Sequence, residues 1–172
     1  MTRLDVATFF LTFTTYGTWL HGDPRGSVDR HYHKPGLPHH PGNLDLLRKS
    51  AQRMAQPAFQ IDSASRSALE SAVREVCEYR NWHLYALNIR NCHLHTVVSG
   101  HADGARMMND FKAYGTRRLV RDGIVPAGRR VWTEGGSVRR VTSLEALERV
   151  VAYVLEEQGE PLPGTLKVGE LG

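Results

Sequence analysis

The sequence contains few cysteines and no long apolar run. Of its 172 residues only Cys77 and Cys92 are cysteines, and they form no paired motif of the kind found in disulfide frameworks or structural zinc sites. No apolar stretch is long enough to cross a bilayer. The first five residues lack the charged-then-apolar order of a signal peptide. These absences exclude a disulfide-stapled scaffold and a helical membrane protein, and we expect a cytoplasmic protein without a membrane partner.

Composition and charge are those of an ordinary globular chain. Hydrophobic residues make up 41% and charged residues 23% of the sequence, and we expect one domain over residues 1–172. The formal net charge is +4, with nine histidines in addition. A basic chain is compatible with a polyanionic partner such as nucleic acid, but many basic proteins bind none.

Hydrophobic periodicity predicts alternating strands and helices. The predicted order is a strand (Thr8–Tyr16), a loop insertion (about 17–42), a short helix (Asn43–Ala55), a helix from Asp62 or Ser63 to about Arg80, a hairpin (His83–Arg90 and His93–Ser99), a helix (Asp103–Arg121), short strands (Arg129–Trp132 and Ser137–Val141), a helix from Ser143, and an extended tail from about residue 159. This order indicates an α+β fold with a ferredoxin-like antiparallel sheet (split βαβ), helices on one face and a further C-terminal helix.

His93-Leu94-His95 is the first candidate for chemistry. Alternate residues of a strand point to the same face, so the two imidazoles are expected side by side while Leu94 points into the core. Two neighbouring histidines suit a divalent metal that acts as a Lewis acid on a phosphoryl oxygen. The competing interpretation is two ordinary histidines near the start of a strand.

The remaining histidine pairs have a simpler interpretation. His31 and His33 lie in a segment rich in Pro and Gly, so their rings have no fixed common face. His39 and His40 are adjacent and face apart in an extended chain. We interpret all four as solvated loop histidines.

Tyr153 and Glu157 are four residues apart on the last predicted helix, which places them on one helix face. The tyrosine is a candidate nucleophile, and the carboxylate is a candidate metal ligand. Pattern alone favours the plainer alternative, in which Tyr153 is a half-buried tyrosine and Glu157 a solvated carboxylate.

Basic residues cluster on the helix before this one and on the strand between them. They form either a solvated surface or, if a DNA site lies nearby, a set of contacts to phosphates. The residues are Arg106, Lys112, Arg117, Arg118, Arg121, Arg139 and Arg140. The loop insertion also mixes aromatic and basic residues, as a single-strand contact surface does: Trp19, His21, Arg25 and Arg30.

Taken in order along the chain, these features resemble a known family. They are an aromatic first strand, His93-Leu94-His95 in a strand, a basic helix with Lys112, then Trp132, Gly135-Gly136 and Arg140, and finally Tyr153 in a helix. This order looks like that of the single-tyrosine HUH transposases, which include the insertion-sequence-200-like and the REP-associated tyrosine transposases. The resemblance extends over roughly Thr8 to Gln158.

The resemblance implies a bacterial, nucleoid-associated homodimer that cleaves and rejoins single-stranded or hairpin DNA through a 5′-phosphotyrosine intermediate. It further implies that Tyr153 is the nucleophile and that His93, His95 and Glu157 bind a divalent metal, Mg²⁺ or Mn²⁺. Glu157 departs from the family, whose members often have Gln or Asn one turn after the tyrosine.

Tyr114 is a competing nucleophile, but it precedes the Trp and Gly-Gly region and has no carboxylate one turn further on. Two other functions stay open at this point. One is a domesticated relative that binds or processes DNA hairpins without transposing. The other is a metal-dependent enzyme that acts on small phosphorylated molecules.

Overall fold

The structure is a computed structural model that describes residues 3–20, 23 and 42–156. Most of the predicted loop insertion, the tail from about residue 159 and the candidate ligand Glu157 lie outside the described residues. The described strands are β1 (Arg3–Thr14), β2 (His83–Ile89), β3 (His93–Ser99) and β4 (Ser137–Ser143). The described helices are α1 (Leu44–Gln52), α2 (Ser63–Arg80), α3 (Gly104–Arg121) and α4 (Leu144–Glu156).

The four strands form one sheet in the order β2-β3-β1-β4. Each neighbouring pair is antiparallel, with β1 and β3, the two central strands, lying between the edge strands β2 and β4. With α2 after β1 and α3 after β3, this is the split βαβ arrangement, and the predicted α+β fold is confirmed.

Side-chain caps define where the helices begin. Asn43 accepts hydrogen bonds from the backbone N–H groups of the first turn of α1, and Asp62 and Asp103 do the same for α2 and α3. The Ser143 hydroxyl accepts from the Ala146 N–H at the start of α4. These residues satisfy N–H groups that have no partner within the helix, which explains why the predicted helix starts agree with the structure.

The two faces of the sheet bury different helices. On one face, Leu11, Phe13 and Leu94 pack with apolar residues of α2 and α3 in the larger core cluster. On the opposite face, Val97 and Val141 pack with an apolar stripe of α4, formed by Leu147, Val150 and Val154. Because side chains alternate along a strand, the same strands contribute residues to both cores. Helix α4 covers the sheet face that carries the histidines.

One predicted strand is wrong. Within Arg129–Trp132, Trp132 makes only an isolated bridge to Thr15, and the edge strand is Ser137–Ser143 alone. The Arg130 N–H donates to the Gln56 side chain, and the Trp132 indole donates to the Lys112 carbonyl, so part of the hydrogen bonding of this segment is to groups outside the sheet. None of the helices within the described ranges is sufficiently long and apolar to span a membrane.

A candidate active site on the α4 face of the sheet

His93 and His95 lie side by side on β3, on the face covered by α4. Their ring centroids are 4.7 Å apart, and their planes are inclined by 74°. His95 is 8% exposed, whereas His93 is partly exposed at the start of the strand. Leu94 between them is buried in the core on the other face. Strand alternation therefore brings the two imidazoles together as the sequence predicts.

A threonine of the neighbouring strand engages His95. Thr12 is the residue of β1 directly opposite His95, and its Oγ1 lies 2.8 Å from His95 Nδ1, within hydrogen-bond distance. A hydrogen bond at one ring nitrogen determines which way the imidazole faces and which nitrogen is presented to a ligand. Nδ1 of His93 lies 3.4 Å from the Cys92 sulfur, so it too has a polar neighbour.

Tyr153 joins this cluster from α4. Its ring centroid is 6.3 Å from that of His95 and 6.0 Å from that of Phe10, with edge-on geometry in both cases. Phe10 in turn stacks against His95, with centroids 5.7 Å apart and planes at 24°. Tyr153 is 39% exposed, so it packs against the histidine cluster and remains open to solvent.

The position of Tyr153 follows from the apolar stripe of α4. Val150 and Val154 are buried against the sheet, and Tyr153 lies beside them at the edge of the packed stripe. In addition, the Asn88 side chain donates a hydrogen bond of 2.9 Å to the backbone carbonyl of Val154. Asn88 lies on β2 directly opposite His95.

A basic residue flanks the cluster on the side of β4. Arg139 is opposite Phe10 in the strand register, and its guanidinium carbon lies 5.0 Å from the centroid of the Phe10 ring. Arg139 is exposed. Arg140 is the next residue of the same strand, so its side chain leaves the opposite face. Of this pair, Arg139 is the one on the same sheet face as Phe10 and the histidines.

The basic residues of α3 lie on the other layer of the molecule, and most are engaged in ion pairs. Arg118 contacts Glu75 at 2.5 Å and Asp122 at 2.6 Å. Arg121 is 3.5 Å from Asp122, and Arg106 is 3.8 Å from Asp110. Arg117 stacks over the Tyr114 ring at 4.4 Å. The sheet therefore separates this helix from the histidine and tyrosine cluster.

Lys112 is also turned inward. It donates hydrogen bonds to the carbonyls of Thr133 and Gly135, and burial lowers the pKa of its ammonium to about 8. The Trp132 indole donates to the Lys112 carbonyl at 3.0 Å. Lys112, Trp132 and Gly135 are thus brought together, but in the loop that joins α3 to β4 rather than at the histidines.

The remaining predicted site residues are placed as follows. Tyr114 packs against the core of the α2 and α3 layer, away from His95. Glu157 lies beyond the described residues. Across 3–20, 23 and 42–156, no three His, Cys, Asp or Glu side chains converge as a metal site. The described part of the site consists of two imidazoles, a tyrosine and their polar neighbours.

Sequence reasoning did not identify Phe10, Thr12 and Asn88. The alternation of β1 puts Phe10 and Thr12 on one face and Leu11 on the other. A threonine within this aromatic strand was therefore a signal that the face carries a polar contact. Asn88 within the otherwise apolar end of β2 was a similar signal, but its partner Val154 is 66 residues away.

Comparison with known proteins leaves the family open. No protein-family model matches the chain, and no curated protein matches it significantly. Among solved structures, a REP-associated tyrosine transposase bound to a REP hairpin overlaps with a TM-score of 0.48 at 13% identity, over 90% of this chain and 68% of the other. A likeness of this degree assigns neither family nor activity to this chain.

Proposed function

We propose that this protein is a metal-dependent DNA strand-transfer enzyme of the single-tyrosine HUH type, with Tyr153 as the nucleophile. The observation that carries this proposal is the packing of Tyr153 against His95 at 6.3 Å between ring centroids, on the sheet face that also carries His93. An accessible tyrosine beside two histidines that can bind a metal is suited to phosphoryl transfer through a tyrosyl ester, because a weak nucleophile needs a neighbouring base or metal to activate it. The structure brings these three side chains together within one protomer.

His93 and His95 fit a divalent cation, Mg²⁺ or Mn²⁺, because their rings are adjacent and Nδ1 of His95 is hydrogen-bonded to Thr12. If Nδ1 of His95 carried the proton and donated a hydrogen bond to Thr12 Oγ1, Nε2 would be the nitrogen able to bind the cation. Glu157 is our proposed third ligand. When bound, the cation supplies Lewis-acid stabilisation of charge on the phosphate oxygens.

Tyr153 forms the covalent link. Its hydroxyl oxygen attacks the phosphorus of a phosphodiester and loses its proton. The bond from phosphorus to the 3′-oxygen breaks, and that oxygen leaves as a 3′-hydroxyl after taking up a proton. The product is a 5′-phosphotyrosine, and attack by a 3′-hydroxyl on it reverses the step without an external energy source.

Single-stranded or hairpin DNA is the proposed substrate. Arg139 is suited to bind a phosphate next to the scissile one, since it is exposed beside Phe10 on the tyrosine side of the sheet. The ion-paired residues of α3 are less suited to this task, because binding DNA would require them to give up Glu75 and Asp122. A homodimer is part of the proposal.

The test is a covalent-adduct assay with a labelled DNA hairpin that carries single-stranded flanks, in the presence of Mn²⁺. Wild type is compared with Tyr153→Phe, and Tyr114→Phe is the matched control because it removes a hydroxyl on the opposite layer. We expect a denaturation-resistant protein–DNA species with wild type and Tyr114→Phe, and none with Tyr153→Phe or after chelation of the metal.

Other outcomes discriminate between the alternatives. An adduct with Tyr153→Phe contradicts the assigned nucleophile. Salt-sensitive DNA binding by wild type without any adduct supports a domesticated DNA-binding relative instead. Absence of both supports an enzyme that acts on small phosphorylated molecules.

A further inference from the structure

Asn88 is a buried polar side chain at the boundary between the sheet and α4. It is 8% exposed, and its Nδ2 donates a hydrogen bond of 2.9 Å to the carbonyl of Val154. Val154 follows Tyr153 directly on α4. One side chain of the sheet is therefore hydrogen-bonded to the backbone of the helix turn that carries Tyr153.

Apart from the edge-on contact of Tyr153 with His95, the packing of α4 on the described sheet is mainly apolar. Leu147, Val150 and Val154 pack on Ala86, Val97 and Val141. Such packing stabilises the helix on the sheet, but it is not directional and tolerates small rotations and shifts of the helix. The Asn88 hydrogen bond is directional, and it forms only while the Val154 carbonyl oxygen lies within about 2.7–3.2 Å of the donor at a favourable angle.

The strand pairing also sets the position of Asn88 relative to β3, the strand that carries His93 and His95. Asn88 lies directly opposite His95 in the antiparallel pairing of β2 with β3. Thus one end of the side chain is fixed relative to His95 by the backbone ladder, and the other end fixes the residue next to Tyr153. No second side-chain hydrogen bond between the sheet strands and α4 is present among residues 3–20, 23 and 42–156, apart from the Ser143 cap.

We infer that Asn88 is a positioning residue that holds the Tyr153 turn of α4 in register with His95. This inference rests on the proposed function for its catalytic consequence, since Asn88 acts through Tyr153 and does not touch DNA. Misplacement of a nucleophile by about 1 Å lowers reaction rates by about 100-fold, so loss of this hydrogen bond acts on the rate of covalent attack. It is expected to leave DNA binding nearly unchanged, because the proposed phosphate contact Arg139 lies on β4, at the opposite edge of the sheet from Asn88 on β2.

The test compares Asn88→Leu with the matched control Thr96→Val. Thr96 is fully buried on β3 and donates to the Ala86 carbonyl within the sheet, so its loss removes a buried hydrogen bond without altering a contact of α4. We expect Asn88→Leu to lower the adduct rate at saturating DNA about 10- to 100-fold with an unchanged DNA Kd. Thr96→Val should keep the wild-type rate.

A second measurement does not depend on activity. In protein labelled with ¹³C-tyrosine, the Tyr153 ring signal is assigned by its disappearance in Tyr153→Phe. We expect Asn88→Leu to shift this signal, because the ring leaves its place beside His95 and Phe10, while Thr96→Val leaves it in place. If Asn88→Leu does not fold, Asn88→Ser is measured by the same two criteria.

An unchanged adduct rate together with an unchanged Tyr153 signal in the asparagine variant overturns the inference. If wild type forms no adduct, the proposed function fails, and the Tyr153 signal alone then decides whether Asn88 holds this turn. A shifted signal in Thr96→Val as well would show a general response to lost hydrogen bonds and would also count against Asn88.

Discussion

Thr12 and His95 face each other across adjacent strands, and Thr12 Oγ1 lies 2.8 Å from His95 Nδ1. The contact is partly buried, and the Phe10 ring stacks on the same imidazole. Metal-binding histidines commonly have such a partner at the ring nitrogen that does not bind the metal. The relationship therefore links a residue of the first strand to the proposed chemistry of the third.

Thr12→Val is expected to weaken Mn²⁺ binding about 10- to 100-fold, because valine keeps the shape but cannot hydrogen-bond to the imidazole. Titration calorimetry with the metal measures the effect. Thr14→Val is the control, since Thr14 lies on the same strand opposite His93. Equal affinity of the Thr12 variant and wild type would show that Thr12 does not orient His95 for a metal.

Arg139→Ala is expected to weaken single-stranded DNA binding and to reduce the dependence of log Kd on log salt concentration by about 0.7 for one lost phosphate contact. Fluorescence anisotropy over a range of salt concentrations measures both. Arg118→Ala is the comparison, since its guanidinium is already paired with Glu75 and Asp122 on the other layer. A larger loss with Arg118→Ala would move the DNA surface to α3.

The lowered pKa of Lys112 predicts that the stability of the protein depends on pH. Burial lowers the pKa of its ammonium from 10.5 to about 8, so between these values the unfolded chain binds more protons than the folded one. The contribution of Lys112 to the free energy of unfolding should therefore rise with pH from about 8 towards 10.5.

Urea unfolding of wild type and Lys112→Met at pH 7.5, 8.5 and 9.5 tests this dependence. The free-energy difference between the two proteins should move in favour of wild type by about 1 to 2 kcal/mol over this range. Lys49→Met, which removes an exposed lysine of α1, controls for the lost charge. A difference that stays constant with pH would contradict the lowered pKa.

Gly136→Ala is expected to destabilise the fold. Gly136 has a φ of 153°, and a Cβ there would lie 2.8 Å from the Thr12 carbonyl oxygen. Because that atom belongs to the backbone of β1, relief of the clash requires movement of a central strand. Gly128→Ala is the control, since Gly128 also has a positive φ but a Cβ there meets nothing within 4 Å.

Thermal or urea unfolding should place Gly136→Ala about 1 to 3 kcal/mol below Gly128→Ala, the usual cost of overpacking. Equal stabilities would mean that the loop before β4 does not press on Thr12. It would also mean that the loop does not influence the orientation of His95 through Thr12.

Much of the fold was predictable because its determinants are local. The caps Asn43, Asp62 and Asp103 each satisfy N–H groups within three residues, so short sequence windows contain the whole interaction. The alternation through His93, Leu94 and His95 is likewise a property of any extended strand. The wrong strand at Arg129–Trp132 involves a non-local contact, since the Arg130 N–H donates to the Gln56 side chain 74 residues away.

The surroundings of the basic residues also could not be predicted from local sequence. From the sequence alone, Arg139 and Arg140 cannot be distinguished. The basic residues of α3 are more numerous and would attract more attention than these two. The structure places Arg139 beside Phe10 and the basic residues of α3 on the opposite layer, where Arg118 and Arg121 pair with acidic neighbours. Which cation faces which site depends on the packing of whole elements, and no short window of sequence contains that information.

The sequence by itself determined the α+β fold, the helix starts and the common face of the two histidines, since each depends on backbone periodicity or on contacts between near neighbours. Only the tertiary structure decided that α4 covers the histidine face. That packing places Tyr153 beside His95, and it brings Asn88 to Val154. These contacts join residues 58 and 66 positions apart, so they exist only once burial of the apolar stripe of α4 has closed the chain onto the sheet.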